Sequence, residues 1–257
     1  DYALWNVVAA PELSLDPKQW CYPIVGCVSY RGYFSEGKAR RLGENLGAEG
    51  FDVLVGGVAA YSTLGRFDDP ILNTMMRWDD VDLVAVMFHE LAHQVLYIKD
   101  DSGFNESFAT AVEEFGIERW LLDRGAAAEI DAYRARRDLQ RELMQLVAIA
   151  RDDLDDIFVT AEPDANKRRQ KQRRLEQLSA DALEAYARAA RPAPSWWRDD
   201  LNNARLVSMT LYHGLLPAFR ALLAQCAGEL QCFYAQAAVI AELRPDEREA
   251  RLADLGS

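Results

Sequence analysis

The chain has 257 residues, with 29 Lys or Arg against 41 Asp or Glu, a formal net charge of -12. That length gives one large domain or two modest lobes ample core, and a composition half hydrophobic and 27% charged excludes disordered, collagen-like and coiled-coil classes. No uncharged apolar run approaches the ~18 residues that a membrane span requires, and the acidic balance argues against a nucleic-acid partner.

Residues 1–34 are rich in aromatic, β-branched, Pro and Gly residues, which predicts short strands and turns, including Cys27–Phe34. Ser35 is placed to cap a helix that runs to the glycines at 47–50. Phe51–Val58 (FDVLVGGV) reads as a strand, continuing into Ala59–Thr63, and Arg66–Pro70 as a loop. Asp79 and Asp80 open Val81–Ile98, which is too long for a strand and apolar on most sides, so a buried helix is predicted. After a turn at Lys99–Phe104, Asn105 is the expected cap of a helix reaching about Leu122 and stopping near Gly125. Helical stripes follow at Leu139, Leu143, Val147, Ala150, Leu154 and Phe158, and at Leu175, Leu178, Ala182, Tyr186 and Ala189. Pro192 and Pro194 interrupt them, Leu201–Cys226 reads as one apolar helix kinked at Pro217, and Pro245 opens the last helix. The fold class is therefore α+β, predominantly α. A composition shift near residue 125 divides an α+β lobe, 1–124, from a helical lobe, 125–257.

Four cysteines form two C-x5-C pairs, Cys21/Cys27 and Cys226/Cys232. Three connectivities are open. Local pairing is the simplest, because each segment holds a turn former: Pro23 and Gly26 in the first, Gly228 in the second. Structural zinc sites usually use a tighter C-x2-4-C spacing. Local disulfides imply an oxidising compartment, and buried free thiols the cytosol.

Two of the chain's three histidines lie in His89-Glu90-Leu91-Ala92-His93. On a helix, positions i and i+4 share a face, one turn apart. Two imidazoles so placed can bind one Zn²⁺, and Glu90, offset by one residue, can reach a water at the metal without occupying it. A base beside a Lewis acid is what a metallohydrolase needs. The bland alternative, two core histidines, leaves imidazoles buried without partners, which is costly. A third ligand is required. A His six residues after His93 is excluded, because that position is Lys99. Glu106 suits the role, since the twelve intervening residues let the helix finish and the chain turn back. Asp100 and Asp101 are nearer but belong to the turn, and Glu113 and Glu114 lie two turns further on. A plain helix-start carboxylate is the alternative reading of Glu106.

With these residues the chain resembles a gluzincin metallopeptidase and, more narrowly, a bacterial putative-aminopeptidase family. The matching stretches are Trp5–Pro11, Cys21–Phe34, Val55–Pro70, Phe88–Asp101, Phe104–Thr110 (FNESFAT) and Asn202–Phe219, so the resemblance covers nearly the whole chain. It implies a zincin-like lobe closed by the helical lobe, one Zn²⁺ on His89, His93 and Glu106, and a peptide substrate. It implies strand addition of that substrate to Gly57, Val58, Ala59 and Tyr61, and an oxyanion donor from the helical lobe. Tyr212 and His213 fit the donor role, and His213 is the one histidine outside the motif. Family members carry a helical region and often a lipoprotein signal ahead of the stretch represented here, which begins at Asp1. The resemblance therefore implies the bacterial periplasm or envelope, with membrane contact only through an upstream lipid anchor. The chain departs from the thermolysin-like pattern in a shorter gap to Glu106 and in Thr110, where a histidine-orienting Asp is common four residues past the ligand.

Asn203 opens its helix and can cap it or meet substrate. Tyr30, Arg31 and Tyr33 can line the cleft or simply pack. Lys167–Arg174 (KRRQKQRR) reads as a solvated helix face rather than a nucleic-acid or lipid patch. A zinc-stapled envelope scaffold and a zinc hydrolase of a non-protein amide are the competing functions. Retention of Glu90 speaks against the first.

Overall fold

A computed structural model describes residues 2, 4–22, 26–58, 79–213 and 215–256, and for 211–213 the backbone alone. The protein is α+β and predominantly α. Strand β1 (Leu4–Pro11) is the centre of an antiparallel sheet ordered β4-β1-β5, with β4 at Arg31–Tyr33 and β5 at Phe51–Val58. Val7 pairs with Arg31 on one side and Val55 on the other. Because side chains alternate along a strand, β1 serves two cores. Val7 and Ala9 bury against Ala39 and Leu46 of α1 (Glu36–Ala48). Val8 and Ala10 bury against Ala204 and Val207 of α7 (Asn203–His213).

The expected strand Cys27–Phe34 divides into β3 (Gly26–Val28) and β4. Strand β3 pairs with β2 (Trp20–Tyr22) in a separate ribbon, where Cys21 and Cys27 face each other and form a disulfide. Gly26 takes φ +79° and packs directly on the Asp100 carboxylate, so neither its backbone conformation nor its surroundings admit a side chain. The second disulfide, Cys226–Cys232, ties the end of α8 (Leu216–Gln225) to the first turn of α9 (Leu230–Ala241).

Helix α2 spans Asp80–Val95 and is capped by Asp79, whose side chain accepts from Asp82 N at 2.8 Å. Helix α3 spans Ser102–Asp123. Its cap is Asp101, not Asn105, and the Asp101 carboxylate accepts from Phe104 N at 3.0 Å. Asn105 sits within the first turn, buried, for a reason that concerns the candidate site. Phe104 and Phe108 of α3 pack on Phe219 of α8, Phe233 of α9 and Leu252 of α10 (Pro245–Gly256). The predicted stripes of α4 (Ala127–Val159) and α5 (Asp164–Arg188) face each other, with Trp197 of α6 (Trp196–Asp199) closing their core. Four of the five buried clusters draw residues from both sides of position 125, so the composition shift there does not coincide with a gap in packing.

Leu201–Cys226 is not one kinked helix. It breaks into α7 and α8, with Pro217 in the first turn of α8. Proline removes a donor and disfavours helical geometry in the residue before it, so it starts a helix more readily than it bends one.

The basic run Lys167–Arg174 is solvated only in part: the Arg174 side chain is largely covered and pairs with Asp153, and Lys171 is buried. The Lys171 Nζ donates to Glu12 O at 2.8 Å and to Asp52 Oδ2 at 2.6 Å. Asp52 also accepts from Asn203 N at 2.8 Å, so one carboxylate joins β5, α5 and α7. Replacing Lys171 with Met leaves Asp52 buried without its cation, and about 3–5 kcal/mol of stability should be lost. Urea unfolding measures this, and a loss below about 1 kcal/mol would mean the pair is solvated.

Candidate metal centre

His89 and His93 project from one face of α2, one turn apart, with ring centroids 4.9 Å apart. Glu106 faces them from the second turn of α3. Its Oε2 lies 3.2 Å from His89 Nε2 and 3.8 Å from His93 Nε2. One ligand atom from each of the three residues falls within 4.8 Å of the others, a spacing that can hold a metal ion.

The return of the chain depends on Asn105. Its Oδ1 accepts from Ile98 N at 2.8 Å and its Nδ2 donates to Ile98 O at 2.7 Å. The side chain thus satisfies both backbone groups of one residue in the six-residue connection between α2 and α3. The neighbours of that residue are held as well. Asp100 accepts from Cys27 N, which latches the disulfide ribbon to the connection. Asp101 accepts from the buried Arg248 of α10 at 2.9 Å.

Outside the ligand atoms the two histidines differ. His89 Nδ1 lies 3.2 Å from Glu113 Oε2, seven residues beyond Glu106 and on the same face of α3. Glu113 therefore orients His89, at the second-turn spacing rather than the one-turn spacing. Thr110, at the one-turn position, donates to Glu106 O at 2.8 Å. From the sequence Glu113 stands only as a more distant candidate for the third ligand. The two-turn repeat from Glu106 is the signal that places it. His93 Nδ1 is buried with no hydrogen-bond partner among the described residues. Burial opposes a charge on His89, but hydrogen bonds that its ring donates to Glu106 and Glu113 outweigh it and push its pKa up to about 10. For His93 burial prevails over the attraction of Glu106, and its pKa falls to about 4. A neutral imidazole, a second imidazole anchored by carboxylates and a shared carboxylate form a donor set suited to a divalent metal.

Tyr30 joins the sheet to this centre. Its ring packs on the cluster of Val8, Ala10, Ala204 and Val207. Burial, followed by the charges of Glu106, Tyr97 and Glu90, pushes its phenol up to about 12, so it remains a donor. Glu90 is partly buried on α2 beside the ligands.

The other sequence-derived candidates fall as follows. Val58 ends β5, an edge strand of the sheet as described. Gly57 is covered by the ring of Tyr2, which occupies the space a Cβ would need. Ala59 and Tyr61 lie outside the described residues. Tyr212 and His213 form the last turn of α7. That turn reaches α3, where Leu215 N donates to Ser107 Oγ, next to Glu106, at 3.2 Å. Asn203 is fully buried, and its Nδ2 donates to Pro11 O, Glu12 O and Ser14 O at 2.9–3.0 Å. It braces the exit of β1 and is not open to a substrate.

A sequence profile described as "Putative aminopeptidase" matches residues 1–252. The chain belongs to that family. No curated protein and no solved structure matches it. The family's name points to a hydrolase that acts on peptides, and the His-His-Glu group gives such a hydrolase a place for a metal.

Two substitutions test the centre. Glu106→Ala should abolish stoichiometric zinc, because two imidazoles alone make a weak site. Glu113→Gln should keep zinc but weaken it ~10- to 100-fold by loosening His89. Competition with a chelating dye reads both. Unchanged affinity in Glu113→Gln would assign the His89 contact to packing alone.

Proposed function

We propose that the protein is a gluzincin-type zinc aminopeptidase of the bacterial periplasm or envelope. The observation that carries this reading is the convergence of His89, His93 and Glu106, with Glu90 on the same helix, in a member of the aminopeptidase family. When bound, zinc supplies Lewis acidity, polarising the scissile carbonyl and making water more acidic. The chain's own residues do the rest. His89, His93 and Glu106 hold the ion. The Glu90 carboxylate takes a proton from the attacking water and delivers it to the departing amine. Tyr212 or His213, at the end of α7, donates to the oxygen of the carbonyl under attack. The β5 edge at Gly57 and Val58, continuing through Ala59 and Tyr61, aligns the substrate backbone. Asn203 acts indirectly, by seating α7.

In this reading the zincin-like part, 1–124, and the helical part, 125–257, form the two walls of the cleft. Both disulfides are compatible with an oxidising compartment. No helix among the described residues is long and apolar enough to cross a membrane. Membrane contact would run through a lipid anchor upstream. Peptides are the expected partner, and nucleic acid is not.

Glu90→Gln preserves shape and removes the base. It should retain zinc and lose about 10²–10⁴-fold in kcat/KM on a peptide library. Activity within tenfold of the original would remove Glu90 from the mechanism. Exopeptidase action is tested with a matched pair of peptides, one with a free N-terminus and one acetylated. Loss of the ammonium contact should lower kcat/KM roughly 10- to 100-fold. Equal cleavage of both at an internal bond would make the protein an endopeptidase.

A further inference from the structure

Three arginines line a cleft to which the described residues contribute no carboxylate. The cleft, about 380 Å³, lies between α4 and the junction of α7 with α8. Arg137 and Arg141 enter from α4 and Arg220 from α8, above an apolar floor that includes Met144, Leu216 and Pro217. Their carboxylate partners lie in a neighbouring cleft beside α3. There Glu114 accepts from Arg220 Nε and Nη2 at 2.7 and 2.8 Å and pairs with Arg137 as well, while Asp138 pairs with Arg141. The three guanidiniums pair with Glu114 and Asp138, and the charge of Glu113 also reaches Arg137.

Arg137 Nε is buried with no hydrogen-bond partner among the described residues. Burial lowers the pKa of Arg137 to about 10 against the opposing charge of Glu113, with Arg220 and Arg141 pushing it further down, and burial with Arg141 lowers that of Arg220. Glu114 accounts for Arg220 and Asp138 for Arg141, but the buried Nε of Arg137 is left over. The first turn of α8, which carries Leu216 and Pro217, has no side-chain cap, so the positive end of that helix adds to the field.

We propose that this cleft is an anion site for a carboxylate carried on an apolar body. Planar guanidiniums match a carboxylate in pairs of parallel hydrogen bonds. The cleft offers three guanidiniums and no carboxylate of its own among the described residues, and the apolar floor takes the attached hydrocarbon. Two sources share this chemistry: the C-terminus of a peptide and a free aliphatic acid. The site does not depend on the peptidase reading.

Calorimetric titration of the protein in the presence of chelator tests it without turnover. The probes are N-acetyl-leucyl-leucine against its C-terminal amide, and hexanoate against hexanamide. In at least one pair the acid should bind tenfold or more tightly than the amide. Arg141→Gln and Arg220→Gln should each remove most of that difference. A difference in the peptide pair alone identifies a peptide C-terminus as the ligand, and a difference in the hexanoate pair identifies a free acid. Arg141 is largely exposed, so its replacement leaves the fold intact and serves as the deciding variant. Equal binding of acid and amide in both pairs, or binding by Arg141→Gln equal to the original, would overturn the proposal.

Discussion

The carboxamide of Asn105, paired with both backbone groups of Ile98, is the contact on which the metal centre depends. Helix α2 can present two histidines by itself, but the third donor must come from a helix running back alongside it. The connection between them is too short to carry secondary structure of its own, so its polar groups need side-chain partners. Asn105 supplies two such bonds for one residue. A buried amide left unpaired costs about 1–3 kcal/mol, so the connection has one favoured path, and that path brings Glu106 up to the histidines. Asp100 and Asp101 extend the restraint outward, the first to the disulfide ribbon and the second to α10.

Within the centre, rigidity is distributed unequally. His89 is fixed at both ring nitrogens by two carboxylates of one helix. His93 is held by burial, and its second nitrogen is free to settle its tautomer around whatever its first nitrogen contacts. A metal held there would meet one donor already oriented and one that adjusts. The same asymmetry explains why the two pKa values move in opposite directions although the residues are a single turn apart.

Much of this was legible in the sequence. The density of β-branched residues locates β5 at Phe51–Val58, and periodicity finds the buried stripes of α4 and α5 up to Ala189, which is exposed. The local disulfides follow from spacing and turn formers, and Glu106 from the length needed to return. What failed was whatever depended on a distant partner. Asn105 looks like a helix cap because caps and buried braces use the same amide, and only the position of Ile98 distinguishes them. Lys171 looks like one more solvated cation in a basic run until Asp52, far away in the chain, is seen beneath it. Asn203 looks equally suited to a cap or a cleft, but three carbonyls after β1 claim it. Glu113 was visible as a residue and hidden as a role, because the orienting carboxylate was sought one turn from Glu106 and stands two turns away.

These distant partners also explain how the two halves of the chain pack together. Asp52 ties β5 to α5 through Lys171 and to α7 through Asn203 N, which fixes the start of α7 against the sheet. Ala204 and Val207 then seat the helix on the face of β1 opposite α1. Given that start and that seat, the direction of α7 is determined, and Leu215, just past its far end, meets α3 at Ser107. Pro217 ends the possibility of continuing straight, and α8 turns into the aromatic core under α3. The last turn of α7 is thus brought to α3 by contacts made at its other end. The length of α7 and the position of the break before Pro217 set which residues arrive there, so an insertion or deletion within α7 should disturb the metal centre more than any single surface change on that helix.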